Sequence, residues 1–348
     1  MTRVVVVVPG LLGPWAKEFR EYVTEALDAP ALAWWLNRGS HSRAGSIALT
    51  FEHALSQLFG VTISDSGDFP HAAFSALADE LTAATGEALV RLDPVFLNAT
   101  PHGAEVVAGD ALGLSFNDAR ELVDFLNAEL DAPWVIEPAH ATRWYVRLPA
   151  LPALQTVQPT AMVGAHSDSL LPQGEDGRPW RRWLTELQML LHTHPMNDLR
   201  EQASLRPINS AWLWGQGCLP EAPAGANVAL TYADSQVARG LAKWHGGEVR
   251  DLTEATDATA EMSSADTVAL IYDSCAGLAE SGDVEGWRDA LMLLERDCFA
   301  PLVEALRAGR ATQLELHAPC VTVVQLKPSS RYKFWRPERT LSRWLRDV

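Results

Sequence analysis

The sequence has few cysteines and no apolar run long enough to cross a membrane. Its four cysteines, Cys218, Cys275, Cys298 and Cys320, are widely spaced and form no CxxC pair, which argues against a zinc knuckle or a dithiol redox site. The five valines after Arg3 are too few for the core of a signal peptide, and no apolar run approaches the ~20 residues of a transmembrane helix. We therefore expect a cytoplasmic protein with reduced thiols and no transmembrane segment.

Positive charge is also scarce. The chain has 28 Lys and Arg against 44 Asp and Glu, a net charge of -16, which repels polyanions, so we expect no nucleic-acid partner. Residues 327–348, the basic tail, are the exception, with seven basic and two acidic residues. The tail could dock on an acidic partner or a membrane surface, or it could close on the acidic body of the protein itself.

Apolar strand-like runs alternate with helical patterns along much of the 348 residues. The run from Val4 to Val8 is typical of a strand buried on both faces of a parallel sheet. Similar runs are Ala211–Trp214, Val228–Tyr232, Thr267–Tyr272, Thr312–Leu316 and Val321–Leu326, and helical patterns cover Trp180–His192, Ser235–Trp244 and Trp287–Ala308. We predict an α/β fold, a mostly parallel sheet with helices on both faces, whose ligands bind at the carboxyl ends of the strands.

Residues 86–159 have a different pattern. Strand-like pieces at Ala88–Leu97, Glu105–Ala108 and Trp144–Leu148 surround one helical pattern, Asn117–Leu130, which Asn117 could cap. The proline-rich residues 149–159 are typical of a linker. The sequence therefore predicts a small inserted α+β domain, residues 86–159 with this linker, between core segments 1–85 and 160–348.

The most specific motif contains His-Pro-Met-Asn from His194, followed by PINSAWLWGQG from Pro207 to Gly217. Taken alone, it predicts a helix end, a turn and a buried strand closed by glycines. The run closely resembles the pattern HPxN and PxNxxWLWGQG of the archaeal-type cofactor-independent phosphoglycerate mutases, and further matches extend from Val4 to about Leu306. The resemblance implies the alkaline-phosphatase superfamily fold with a substrate-covering insert, and phosphoryl transfer by two metal ions and a Ser or Thr nucleophile.

The same resemblance implies a set of ligand-binding residues. Arg91 and Arg143 match arginines of the family, and their guanidinium groups suit phosphate or carboxylate. The motif adds four further candidates: His194, Asn197, Arg200 and Asn209. Asp110 stands where the family pattern has an arginine, and its charge would repel a phosphate.

Several metal ligands that the resemblance implies are missing. Pro9, Ala276 and Leu316 stand where the family has aspartates, and none of these side chains can bind a metal. The remaining metal candidates are Asp273, Glu280, His317, His166 and Asp168, and the nucleophile candidates are Ser40 and Ser42. The stretch from His166 to Asp168 is also typical of a turn with a capping aspartate.

Two hypotheses for function follow. The first is a degenerate phosphoglycerate-mutase-like protein without catalysis, which binds or regulates an unknown protein or a small anionic ligand. The whole chain is also similar to the RpfE-type regulatory proteins of proteobacteria, which implies a regulatory role in a bacterial cytoplasm. The alternative is a phosphomutase or phosphatase with a rebuilt Mn or Zn site, in which the remaining metal candidates converge on one ion.

Overall fold

A computed structural model describes residues 2–13, 15, 22–23, 27–42, 50–62, 69–100, 103–158, 171–223, 228–257, 267–336 and 338–346. The chain divides into a first unit, Met1–Thr62 with Ala222–Val348, and a second unit, Ile63–Glu221. No helix among these described residues has the length and apolarity needed to cross a membrane. The predicted insert at 86–159 is shorter than the second unit, and its boundaries stay a prediction.

The first unit is built on a seven-stranded sheet in the order β2-β12-β11-β1-β10-β8-β9. Its strands are β1 (Arg3–Val7), β2 (Ser40–Ser42), β8 (Leu230–Ala233), β9 (Glu248–Arg250), β10 (Thr267–Ile271), β11 (Gln313–Ala318) and β12 (Thr322–Leu326). Five strands are parallel, and β12 and β2 extend the sheet with antiparallel pairings. This confirms the predicted α/β fold with a mostly parallel sheet.

Helices cover both faces of this sheet. Val4 and Val6 belong to a core cluster with residues of α1 (Pro30–Arg38), α9 (Val284–Leu294) and α10 (Ala300–Arg307). On the other face, α7 (Gln236–His245) packs on β8, and α2 (Phe51–Phe59) packs on α7. Because successive side chains of a strand point to opposite faces, β1 needs apolar residues at every position, and its valines supply them.

A buried carboxylate joins the first helix of this unit to later ones. The π-helical turn Glu295–Phe299 lies between α9 and α10, and Glu295 accepts hydrogen bonds from the backbone N–H groups of Ala31 and Leu32 at 2.6 and 3.0 Å. Since α1 has no side-chain cap of its own, Glu295 satisfies two of the free N–H groups at its start.

The second unit is an antiparallel sheet in the order β4-β3-β6-β5, with β7 also paired to β3. Its strands are β3 (Ala88–Thr100), β4 (Gly103–Ala108), β5 (Ile136–His140), β6 (Arg143–Leu148) and β7 (Ser210–Cys218). Its helices are α3 (His71–Ala78), α4 (Phe116–Glu129), α5 (Gly177–Thr193) and α6 (Pro195–Gln202). The run at Ala211–Trp214 is therefore a strand as predicted, but it lies in this sheet and not in the parallel one. Ser115, not the predicted Asn117, caps α4 by accepting the N–H of Asp118 at 3.1 Å.

The basic tail packs on the first unit. Leu341 and Leu345, from the short helix α11 (Leu341–Arg346), are buried in the core cluster that contains β1. Asn37 donates to the carbonyl of Arg339 at 2.8 Å and accepts from the indole of Trp344 at 3.1 Å. The tail is therefore a closing segment of the body, as one of its two predicted readings has it. Helices α8 (Ser274–Ser281) and α9 complete the unit.

Candidate functional site

The carboxyl ends of β1 and β10 are where the resemblance places metal ligands. After β1 the chain continues through Pro9 to Gly10, whose φ is +73°. A Cβ atom on Gly10 would lie 2.6 Å from the carbonyl oxygen of Cys275 and 2.8 Å from the Cα of Ala276, at the start of α8. The carbonyl of Gly10 accepts a hydrogen bond from Trp287 at 2.9 Å. The two backbone segments are thus in direct contact at this edge of the sheet.

His317 lies at the carboxyl end of β11, and a carboxylate already occupies one of its nitrogens. Its Nε2 lies 2.6 Å from Oε1 of Glu315, which also accepts hydrogen bonds from Arg3 and Gln325. Burial opposes ionisation of Glu315, but the hydrogen bond from His317 and the charge of Arg3 lower the pKa of its carboxyl to about 2. The Nδ1 atom of His317 is buried and has no partner within the described ranges, so one ring nitrogen is left for a ligand.

The other described metal candidates do not join His317. Asp273 precedes α8, and burial raises the pKa of its carboxyl, with a hydrogen bond from Ser235 acting against this rise. Glu280 is exposed on α8. Across the part of the chain that the structure describes, no three His, Cys, Asp or Glu residues are grouped so that they could hold a metal ion. These residues do not fit a two-metal centre; His166 and Asp168 lie outside the described residues.

The two candidate nucleophiles lie on β2, at the edge of the large sheet. Ser40 accepts a hydrogen bond from Nζ of Lys333 at 3.0 Å, and Ser42 donates to the carbonyl of Val323 at 3.4 Å. Strand β12 separates Ser42 from His317. A serine needs a base within hydrogen-bond reach to act as a nucleophile, and none of the contacts described here supplies one to either serine.

Arg91, a candidate phosphate ligand, is buried in the second unit and paired with a carboxylate. Its Nε and Nη2 donate to the two oxygens of Asp93 at 2.9 and 2.8 Å. The guanidinium also lies over the rings of Tyr145 and Trp214, and the indole of Trp214 donates to Asp93 at 2.7 Å. Burial raises the pKa of Asp93, while the charge of Arg91 and the Trp214 N–H act against that rise. The cation is thus neutralised within the unit.

Arg143, the other candidate arginine, is held in the same way. Its Nε and Nη2 both bind the carboxylate of Asp79, at distances of 2.6 to 3.1 Å, and the hydroxyl of Tyr145 donates to Asp79 at 2.6 Å. Burial alone would raise the pKa of Asp79, but the hydrogen bonds from Arg143 and Tyr145 outweigh it and lower that pKa. Tyr145 therefore connects the two arginine–aspartate pairs.

Asp79→Asn should change the response of this unit to acid. The folded-state pKa of Asp79 is lowered, so its ionisation stabilises the fold above the unfolded pKa of about 3.9, and this contribution is lost as the pH falls through the folded value. We expect the variant to lose about 2 kcal/mol of unfolding free energy at pH 7 and less than the wild type on going from pH 5 to pH 2. Urea unfolding across this range measures both effects. Glu121→Gln, an exposed carboxylate on α4, is the control, and equal slopes in all three proteins would contradict the expectation.

The first half of the motif joins helices to the start of β7. The buried side chain of Asn197 donates to the carbonyls of Leu191 and Ile208, at 2.7 and 3.0 Å, and accepts the N–H of Ile208 at 2.7 Å. Arg200 donates to the carbonyls of Arg206 and Leu112. His194 caps α6 by accepting the N–H of Met196 at 3.2 Å. All three side chains satisfy backbone groups of their own unit.

The second half of the motif ties β7 to its neighbours. Asn209 pairs with the backbone of Leu97 in both directions, at 2.8 and 2.9 Å, so its amide replaces a strand partner. Gln216 donates to the carbonyl of Leu154 at 2.7 Å. Gly215, with φ of +66°, lies in a bulge where β7 shifts register against β3, and a Cβ on Gly217 would lie 2.4 Å from Pro70. Ligand binding by the six candidate residues stays a prediction, and the structure gives each an internal partner.

Sequence reasoning missed the two carboxylates that pair with the arginines. Asp93 stands two residues after Arg91, on the same face of a strand, and this spacing is a signal of pairing. Asp79 is 64 residues from Arg143 in sequence, so no local pattern connects them.

Comparisons with known proteins give relatives for part of the chain. No family model matches it. The 2,3-bisphosphoglycerate-independent phosphoglycerate mutase of Methanothrix thermoacetophila is 28% identical over 190 residues, which are 49% of this chain and 48% of that protein. The protein of the same name from Methanosarcina mazei is 29% identical over 158 residues, 44% of this chain and 40% of that protein. The matched region thus spans about half of this chain and less than half of these curated relatives.

Solved structures show the same fold. A protein of Pyrococcus horikoshii gives a TM-score of 0.59 at 14% identity and covers 93% of this chain and 87% of that one. A cofactor-independent phosphoglycerate mutase of Thermoplasma acidophilum gives 0.53 at 17% identity and covers 98% and 94%. The predicted resemblance to archaeal cofactor-independent phosphoglycerate mutases is confirmed as homology over part of the sequence, and the shared fold extends over nearly all of it.

Proposed function

We propose that this chain is a non-catalytic relative of the cofactor-independent phosphoglycerate mutases, with a binding or regulatory role of the RpfE type in a bacterial cytoplasm. One observation carries the proposal: Arg91 and Arg143, which a phosphate would need, are each neutralised by a carboxylate of the same unit. The motif that most resembles the mutases likewise bonds to its own backbone, so its retention is explained by folding alone.

The ends of the central strands support the same proposal. Two-metal phosphoryl transfer needs several carboxylate or imidazole ligands on each ion, and both ions must lie beside the nucleophile. Pro9 and Ala276 offer no ligand, and Gly10 packs on the backbone of Ala276. His317 keeps one nitrogen without a partner in the described part of the chain, but one imidazole is too little to hold a close pair of ions.

The partner in this proposal is an unknown protein or a small anionic ligand. A ligand that displaced Asp93 or Asp79 from its arginine would leave a buried carboxylate unpaired, which costs several kcal/mol. We therefore place recognition elsewhere on the molecule than at these two arginines.

The proposal is tested by assaying the purified full chain for interconversion of 2- and 3-phosphoglycerate and for hydrolysis of p-nitrophenyl phosphate, each with Mn²⁺ or Zn²⁺. We expect no rate above that of the metal alone, and less than stoichiometric metal in protein purified without chelator. Metal-dependent turnover that Asp273→Ala abolishes would overturn the proposal in favour of a rebuilt site. Asp234→Ala, which removes a neighbouring exposed carboxylate, is the matched control.

A further inference from the structure

Three aromatic side chains project from the basic tail. Tyr332, Phe334 and Trp335 are 57, 77 and 69% exposed, and they lie within four consecutive residues. The rings of Phe334 and Trp335 pack edge to face, with centroids 5.6 Å apart and an interplanar angle of 77°. They form one apolar projection, which we call the aromatic loop (residues 331–336). Aromatic residues of this size are normally buried, and an exposed cluster of them marks an interaction site.

The aromatic loop is fixed to the body. The carbonyl of Lys333 accepts a hydrogen bond from Arg38, which is itself buried on α1, and Arg336 donates to the carbonyl of Gly39. The tail then returns into the core through Leu341. The projection is therefore supported on both sides, and exposing it is a property of the folded protein.

The charge around the projection is opposite to that of the rest of the molecule. Arg331, Lys333 and Arg336 alternate with the aromatic residues, and among the described residues none of the three has a carboxylate partner. Arg331 lies over the ring of Tyr332, with 4.7 Å from its central carbon to the ring centroid. Since the whole chain has a net charge of -16, an anionic partner is repelled everywhere except at this loop.

We propose that the aromatic loop docks the protein on an anionic lipid surface. Two packed rings offer roughly 300 to 500 Å², which is well below the ~800 Å² that each partner contributes to a stable protein interface. A bilayer needs no complementary shape, because its headgroup region takes up single Trp, Tyr and Phe side chains, and cations beside them attract acidic headgroups. This inference does not depend on the proposed function.

The test is co-flotation of the full chain with vesicles of phosphatidylcholine alone and with vesicles that contain 30% phosphatidylglycerol. We expect binding to the anionic vesicles only, weakened by salt. Phe334→Ser/Trp335→Ser should lower the partition coefficient about 10-fold through loss of inserted apolar surface. Arg331→Gln/Lys333→Gln/Arg336→Gln should lower it on the order of 100-fold, because each cation near such a surface contributes about a fivefold factor.

Met292→Ser/Leu293→Ser is the matched control, since it removes two exposed apolar side chains, 41 and 51% exposed, from α9. It should bind the vesicles like the wild type, and thermal unfolding should show all variants folded. Absence of vesicle binding, or binding that the loop variants retain, overturns the proposal. A dimer in ultracentrifugation that the loop variants abolish, without vesicle binding, overturns it in favour of a second copy of the chain.

Discussion

Asp93→Ala should lower the free energy of unfolding by about 3–5 kcal/mol, the cost of leaving one member of a buried ion pair without its partner. Arg91 has two hydrogen bonds to Asp93 and is covered by Tyr145 and Trp214, so water cannot replace the lost carboxylate. The indole N–H of Trp214 loses its acceptor in the same variant. Urea or guanidinium unfolding at pH 7 measures the loss.

Arg91→Met/Asp93→Leu is the companion variant. It removes both charges and fills their space with apolar atoms, and such exchanges of buried pairs are often close to neutral. We expect it to recover more than half of the stability lost in Asp93→Ala. If Asp93→Ala stays within 1 kcal/mol of the wild type, the arginine is not bound structurally, and it becomes available to a ligand.

Gly10→Ala is the second substitution with a large expected effect, a loss of about 2–5 kcal/mol. An alanine at positive φ costs roughly 1–2 kcal/mol, and its Cβ would overlap the backbone of Cys275 and Ala276, which adds about 1–3 kcal/mol. The overlap is with main-chain atoms at the start of a helix, so no side chain can move aside to relieve it. Thermal and denaturant unfolding give the value.

Gly60→Ala separates the two contributions. Gly60 follows α2 with φ of +72°, nearly the value of Gly10, but a Cβ there would meet no atom within 4 Å. It should therefore show the backbone cost alone, about 1–2 kcal/mol. Equal losses in Gly10→Ala and Gly60→Ala would mean that the ends of β1 and β10 are not packed as closely as described, and that an ion could fit between them.

Residue patterns predicted the central strands well and their partners poorly. The run from Val4 to Val8 is apolar at every position, which only a strand covered on both faces requires, and β1 is such a strand. The run at Ala211–Trp214 has the same character, because α5 packs on β7 and residues of β3 and β4 lie beside Trp212 and Trp214. An apolar run therefore indicates burial on both faces, but it does not distinguish a parallel sheet from a covered antiparallel one.

The candidate site could be predicted only as far as chemistry is visible in single residues. Pro9 and Ala276 exclude two metal ligands from the sequence alone, because neither side chain has a donor atom. The partners of the arginines depend on tertiary structure: Asp79 reaches Arg143 only because α3 packs on the sheet that contains β3. Residue identity showed which groups could bind a ligand, and packing decided which of them already have a partner.

The position of β1 in its sheet has a consequence for how the protein folds as it is synthesised. This strand lies between β10 and β11, which begin at Thr267 and Gln313, so the residues made first must wait for some of those made last. The second unit is one continuous stretch, Ile63–Glu221, and can be complete before either neighbour of β1 leaves the ribosome. At roughly 5–20 residues per second, the valine strand stays without its sheet for about 15 to 50 seconds, long enough for chaperones to bind it.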